Sequence, residues 1–384
     1  MAKHYQDLGV YSDLPAAAKR ANDLYPIAKP GKKTQKLVKE WLSFEPAKPK
    51  PKTVTVEKTW EKDGLEGELV TWSVGFGPRT EAWVIKPAGA KGKLPGAIAL
   101  HDHGGFKYFA KDKVAMGPDK PGKLMRDWHD HAYGGRPFAD ELARRGFVVV
   151  VPDVFTWGSR RFPLETITEW DRLIGDALHE KTPWEPWPGV SAPADISRYA
   201  WAATAHEHTV EKYCQTLGTS MSGVISFEDR VAAAYLTSRK DVKAGSIGCV
   251  GLSGGGLRAG LMQATCKEIG ASVVAGMMST YADLLDHNVV THTWMLYPTP
   301  ALARQGDWPD LVACRAPSPL MVHYDEEDAL FTMKGMKAAD KRLKDHYKSV
   351  GAGKNYQGCF FPGPHKFDVP MQDVAFDWMT EQLA

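Results

Sequence analysis

Cysteine is scarce. The 384-residue chain has five, at Cys214, Cys249, Cys266, Cys314 and Cys359. The number is odd and no Cys-x-x-Cys spacing occurs, so neither a disulfide framework nor a zinc ribbon is indicated. Long apolar runs are missing too. The longest, such as FVVVV at 147–151, fall far below the ~20 residues that span a bilayer. The first residues, MAKHYQDLGVYSDLP, lack the apolar segment of a secretory signal. A cytoplasmic protein with no membrane partner is expected. Neither charge sign dominates: 48 Lys and Arg stand against 46 Asp and Glu, a net of +2. That balance argues against a nucleic-acid partner. An apolar content of 43% with 24% charged residues excludes global disorder and allows a sizeable core without covalent staples. No internal repeat is present, and nothing in the sequence sets the oligomeric state.

What is there changes character along the chain. Residues 14–24 and 34–42 are helix-like, and PAKPKP at 46–51 is a Pro/Lys linker. The expected organisation is a helical arm with its linker over 1–50 and one domain over 51–384. VTVEKTW, GELVTWSV and TEAWVIKP are short β-branched and aromatic runs between turns, and are expected to be antiparallel strands. Beyond them, apolar runs at 97–100, 147–151, 247–252, 271–278, 319–322 and 359–361 alternate with amphipathic segments. Met333, Met336, Leu343 and Tyr347 share one helical face, and Met371, Val374, Trp378 and Met379 another. Continuous apolar runs suit strands covered on both faces, so the fold class is α/β with a mainly parallel central sheet flanked by helices. Two stretches interrupt the alternation and are expected to be lid-like insertions: a Trp-rich one at about 157–222 and another at 281–310.

The sharpest motif is Gly251-Leu252-Ser253-Gly254-Gly255, a G-x-S-x-G sequence. The strand-like SIGCVGL precedes it and a helical run at 257–266 follows. That strand–turn–helix setting lifts a serine hydroxyl to the end of a sheet, beside a helix N-terminus that favours an oxyanion. Gly254 to Ala259 also fits the dinucleotide pattern G-x-G-x-x-A. That pattern wants an acid ending the next strand, and Gly276-Met277-Met278-Ser279-Thr280 offers none.

A serine needs a base and an orienting acid. After such an elbow the chain order is Ser, acid, His. His365, in PGPHKFD after the last apolar run, is the expected base. Asp328 is the favoured acid, with Asp325 the alternative at the end of the preceding run. The oxyanion is expected to be held by the Gly254 amide and by one from His103, Gly104 or Gly105 in the loop HDHGG. Three H-x-H pairs, His101/His103, His129/His131 and His206/His208, offer a metal-dependent alternative, because i and i+2 side chains share a face on a strand. One pair falls in the oxyanion loop, and the elbow would be redundant beside a metal, so no metal and no cofactor are expected. Trp157, Arg160 and Trp187 are candidate substrate contacts; ion-paired structural arginine is the commoner case. Glu228 and Asp229 are expected at the start of a helix leading into the elbow strand.

Together these residues resemble the α/β-hydrolase superfamily, from about residue 96 to 383. ALHDHGG, VVVVPDVFTWGSRR, GCVGLSGGG and PGPHKF are most similar to its acetyl xylan esterase and dienelactone hydrolase branches. The resemblance implies a serine-dependent carboxylic ester hydrolase working through an acyl-enzyme. It implies a small-molecule or oligosaccharide ester as substrate, an acetylated carbohydrate first. The departures are Ser253 where dienelactone hydrolases use cysteine, HDHGG in place of HGGG, and Ala329 in place of the usual proline after the acid. A serine peptidase or amidase on the same fold is the main alternative.

Overall fold

The computed structural model describes residues 5–182, 184–185, 190, 192–297 and 300–383. Among them nine strands form one sheet: β1 (Lys52–Lys62), β2 (Leu65–Ser73), β3 (Thr80–Pro87), β4 (Leu94–Leu100), β5 (Val148–Pro152), β6 (Val242–Leu252), β7 (Ala271–Ala275), β8 (Leu320–Asp325) and β9 (Tyr356–Phe361). The order is β1-β2-β3-β5-β4-β6-β7-β8-β9. The three N-terminal strands pair antiparallel, and β3 joins β5 the same way. From β5 to β9 every pairing is parallel.

Side-chain alternation explains the layers. Ile98, Leu100, Val148 and Val150 face one core, while Ala97, Ala99, Val149 and Val151 face the other. Period-two alternation with both faces apolar is what a sheet covered on both sides requires. Helices Met221–Ser238, Gly254–Thr265 and Met333–Ser349 cover the first face. Helices Lys123–Tyr133, Phe138–Arg144 and Val369–Leu383 cover the second. Edge strand β1 is exposed along most of its length and carries Lys52, Lys58 and Lys62, charges that discourage further strand pairing. Cys214, Cys249, Cys266 and Cys314 are buried in the body as free thiols. No helix among the described residues is long and apolar enough to cross a membrane.

Two expectations about helices are corrected. Val374 is off the buried face at 38% exposure. The helix buries Met371, Gln372, Ala375, Phe376 and Met379, a stripe that passes position 374 by. Glu228 and Asp229 lie in the middle of helix Met221–Ser238, not at its start, and both are buried. The insertion at 157–222 contains helices Glu169–Lys181 and Ala194–Thr216.

The N-terminal segment joins the first core. Helix Lys32–Leu42 buries Leu37, Val38, Trp41 and Leu42. Trp41 meets Trp308 edge-on at 6.4 Å, and Thr219 donates to the Leu42 carbonyl at 2.7 Å. Gly223 makes this approach possible, because a Cβ there would lie 1.9 Å from the Leu42 oxygen. Gly223→Ala is therefore expected to cost at least about 1–3 kcal/mol through overpacking against backbone. Denaturant unfolding checks this, and an unchanged midpoint would refute it.

Candidate active site

Strand β6 ends at Leu252, and the chain turns at Ser253 with φ 57° and ψ −122° before helix Gly254–Thr265. A serine in this region costs about 1–3 kcal/mol and persists only where its surroundings impose it. Here the Ser253 amide donates to the Ala275 carbonyl at 2.9 Å, and the Ser253 carbonyl accepts from Leu257 at 2.9 Å. The motif glycines admit backbone contact: a Cβ on Gly255 would lie 2.1 Å from the Leu100 oxygen, and one on Gly254 2.7 Å from the His103 nitrogen. The elbow thus touches the loop after β4.

His365 follows β9. Its ring adjoins Gly276, where a Cβ would lie 2.8 Å from His365 Cε1. Gly276 is next to Ala275, the residue bonded to the Ser253 amide, so ring and elbow share one corner. His365 Nδ1 contacts Asp328 Oδ2 at 2.7 Å. The other Asp328 oxygen accepts from the Leu330 amide at 2.8 Å. His365 Nε2 is buried and has no hydrogen-bond partner among the described residues. Burial opposes charging of His365, but Asp328, through its charge and hydrogen bond, and then Asp325 outweigh it, so the imidazole is raised above its ordinary pKa. Of the two candidate acids, His365 reaches Asp328. Asp325 instead accepts from the Lys366 amide at 3.3 Å, and burial pushes its carboxyl up to about 7. Asp325, Asp328 and His365 also form the one group of three potential metal-ligating side chains found among the described residues, with donor atoms within 4.8 Å.

The loop 101–105 carries two glycines with positive φ, Gly104 at 60° and Gly105 at 70°. The Gly105 amide donates to His103 Nδ1 at 3.1 Å. It is committed there, which removes it from the three expected oxyanion donors. With Nδ1 accepting, His103 Nε2 carries the proton and donates to Glu207 Oε2 at 3.0 Å. The His103 and Gly104 amides have no partner among the described residues.

Glu207 is a residue the sequence reading missed. Its Oε2 also pairs with Lys107 Nζ at 2.6 Å. Its Oε1 accepts from the Thr293 hydroxyl at 2.6 Å and the Trp294 amide at 3.1 Å. One carboxylate therefore joins the 101–105 loop to both insertions. Burial opposes its ionisation, yet Lys107 and His103 hold the carboxyl well below the usual range. The second insertion reaches the acid loop too, where His292 Nε2 contacts the Leu330 carbonyl at 3.0 Å.

The remaining candidates have other places. Arg160 is 3% exposed. Its guanidinium is taken by Glu228 and by the Phe76 and Pro78 carbonyls, so it braces the fold and is not presented to substrate. Trp157 is 1% exposed. It packs edge-on to His103 at 5.0 Å and donates to the His103 carbonyl at 3.4 Å, a support for the loop. Trp187 lies outside the described residues. Two of the three H-x-H pairs fail geometrically: His129/His131 and His206/His208 lie on helices, where i and i+2 side chains point about 200° apart. His101 Nδ1 faces the Asp102 carbonyl at 2.9 Å, and His129 Nε2 the Asp112 carbonyl at 2.8 Å.

Solved structures share this fold. One named as a "putative acetyl xylan esterase" from Bacteroides fragilis NCTC 9343 matches 86% of this chain and 74% of its own, with a TM-score of 0.63 at 16% identity. A glucuronoyl esterase from Solibacter usitatus matches 92% of both chains, with a TM-score of 0.59 at 14% identity. The chain has the α/β-hydrolase fold. Among curated proteins, "Putative hydrolase YtaP" of Bacillus subtilis (strain 168) is 24% identical over 286 residues, covering 73% of this chain and 75% of YtaP. No protein-family model matches the chain.

Proposed function

We propose that this α/β-hydrolase is a serine-dependent carboxylic ester hydrolase. The observation that carries the reading is the His365–Asp328 contact of 2.7 Å, with a free, buried Nε2, at the corner shared with Ser253. In this mechanism His365 Nε2 takes the Ser253 hydroxyl proton as Oγ attacks the ester carbonyl. Asp328 fixes the ring so that Nδ1 carries its proton and Nε2 can accept one, and it stabilises the imidazolium. The Gly254 amide and the His103 or Gly104 amide receive the tetrahedral oxyanion. His365 returns the proton to the alcohol leaving group, then activates water to hydrolyse the acyl-enzyme. These steps require no cofactor.

The substrate class we propose is a carbohydrate ester, with an acetylated sugar first. The names of the structural neighbours, acetyl xylan esterase and glucuronoyl esterase, support this class. The test is mass mapping after a fluorophosphonate probe, beside acetate release from acetylated xylo-oligosaccharides. A single adduct on Ser253 and acetate release are expected. A folded protein with no adduct would overturn the serine mechanism. An adduct without acetate release would overturn the substrate class alone.

A further inference from the structure

We infer that Lys113 sets which way the peptides of the oxyanion loop face, and so acts as a positioning residue for the reaction. The inference rests on the reading of Ser253 as nucleophile. Three consecutive carbonyls in this loop are held by two buried cations. Arg258 Nη1 donates to the His101 carbonyl at 3.3 Å. Lys113 Nζ donates to the Asp102 carbonyl at 3.2 Å and the His103 carbonyl at 2.8 Å. Arg258 is 1% exposed and Lys113 0%.

A trans peptide points its carbonyl and its N–H in opposite directions. Both peptides held by Lys113 are trans. With the Asp102 and His103 carbonyls turned to the ammonium, the His103 and Gly104 amides face the other way. Those are the two amides left without partners. The His103 nitrogen is also the atom that a Cβ on Gly254 would touch at 2.7 Å, so it lies beside the elbow. Two left-handed glycines in succession make this loop easy to rotate, and successive amides of this kind form an anion-binding concavity only while their orientation is kept.

Lys113 is itself fixed. Its third donor meets Asp102 Oδ1 at 3.4 Å, and its Nζ sits 4.6 Å from the centre of the Phe106 ring. Asp102 Oδ2 is occupied by the Tyr133 hydroxyl at 2.6 Å and Trp128 Nε1 at 3.3 Å. An ammonium has three donors, and two of these go to loop carbonyls. A purely structural salt bridge would not need that division.

The experiment compares Lys113→Met, Asp102→Asn and the double variant for kcat, KM and affinity for a boronic acid, whose tetrahedral adduct places an oxygen where the oxyanion forms. For Lys113→Met, kcat is expected to fall about 10²–10³-fold, the size of losing one oxyanion donor. KM should stay within about threefold, the signature of an interaction made only in the transition state. Boronic acid affinity should fall with kcat. Asp102→Asn keeps the lysine on both carbonyls and should retain most of kcat. The double variant removes both buried charges together, so it carries the test if Lys113→Met does not fold, and it should show the same loss. A folded Lys113→Met or double variant with wild-type kcat would overturn the inference, as would an equal loss in Asp102→Asn. If Ser253→Ala kept ester turnover, the underlying mechanism would fall instead.

Discussion

Ser253→Ala is expected to lower ester turnover by at least about 10⁴-fold, because a catalytic serine acts as one unit with its base and the loss is close to that of the whole triad. The fold should survive. The Ser253 side chain caps nothing in helix Gly254–Thr265, and its backbone bonds to Ala275 and Leu257 do not depend on the hydroxyl. The same position carries a second expectation. Alanine keeps the backbone strain of φ 57° and ψ −122°, whereas glycine relieves about 1–3 kcal/mol of it and gives back about 1 kcal/mol as unfolded-chain entropy. Ser253→Gly should therefore be inactive and about 1 kcal/mol more stable than Ser253→Ala. Calorimetry and ester kinetics on the two purified variants check both parts. Equal melting temperatures would remove the strain argument, and turnover in either variant would remove the nucleophile.

Asp328→Asn is expected to lower kcat by about 10³–10⁴-fold, because an amide no longer holds the imidazole in the productive tautomer. Asp325→Asn should cost far less, since Asp325 bonds the Lys366 amide and not the ring. The pH profile gives an independent reading. His365 works as a base only when neutral, so kcat/KM should rise with pH through the pKa of His365 in the free enzyme. Burial lowers that pKa, while Asp328 and Asp325 raise it, and the raising side wins. The acidic limb of the wild type should thus lie above the ordinary histidine value of about 6.5. In Asp328→Asn the strongest raising partner is gone while burial remains, so the limb should move to lower pH. A limb unmoved by Asp328→Asn, yet shifted by Asp325→Asn, would exchange the roles of the two acids.

The parts of the site that could be read from sequence are those tied to a chain-local signature. Ser253 is announced by a strand, a glycine turn and a helix. His365 follows a strand and precedes a helix. Asp325 and Asp328 were both visible, but spacing alone could not say which would meet the ring, because a turn of three residues decides it. Residues that act through long-range burial were not legible. Glu207 meets His103 across 104 positions, and in sequence it was merely the residue between two histidines. Lys113 and Arg258 look like surface charges until the fold buries them. Arg160 keeps both a substrate-contact and an ion-paired reading in sequence for the same reason: its partner Glu228 lies 68 positions away. The histidine pairs stay open as an alternative in sequence because their strand-like spacing carries no sign that His129/His131 and His206/His208 lie on helices. The parallel strands, by contrast, came through because being covered on both faces leaves its mark on every residue of a run.

The four buried thiols have a practical consequence. Burial drives Cys214, Cys249, Cys266 and Cys314 up to about 12, so almost none of each is thiolate at neutral pH, and the thiolate is the form that alkylating reagents attack. They lie at separate points of the molecule, on an insertion helix, strand β6, the end of the elbow helix and the approach to β8. Each becomes reactive only when its own neighbourhood opens. The chain thus carries four internal timers, and the order in which they are modified reports which part of the molecule breathes first.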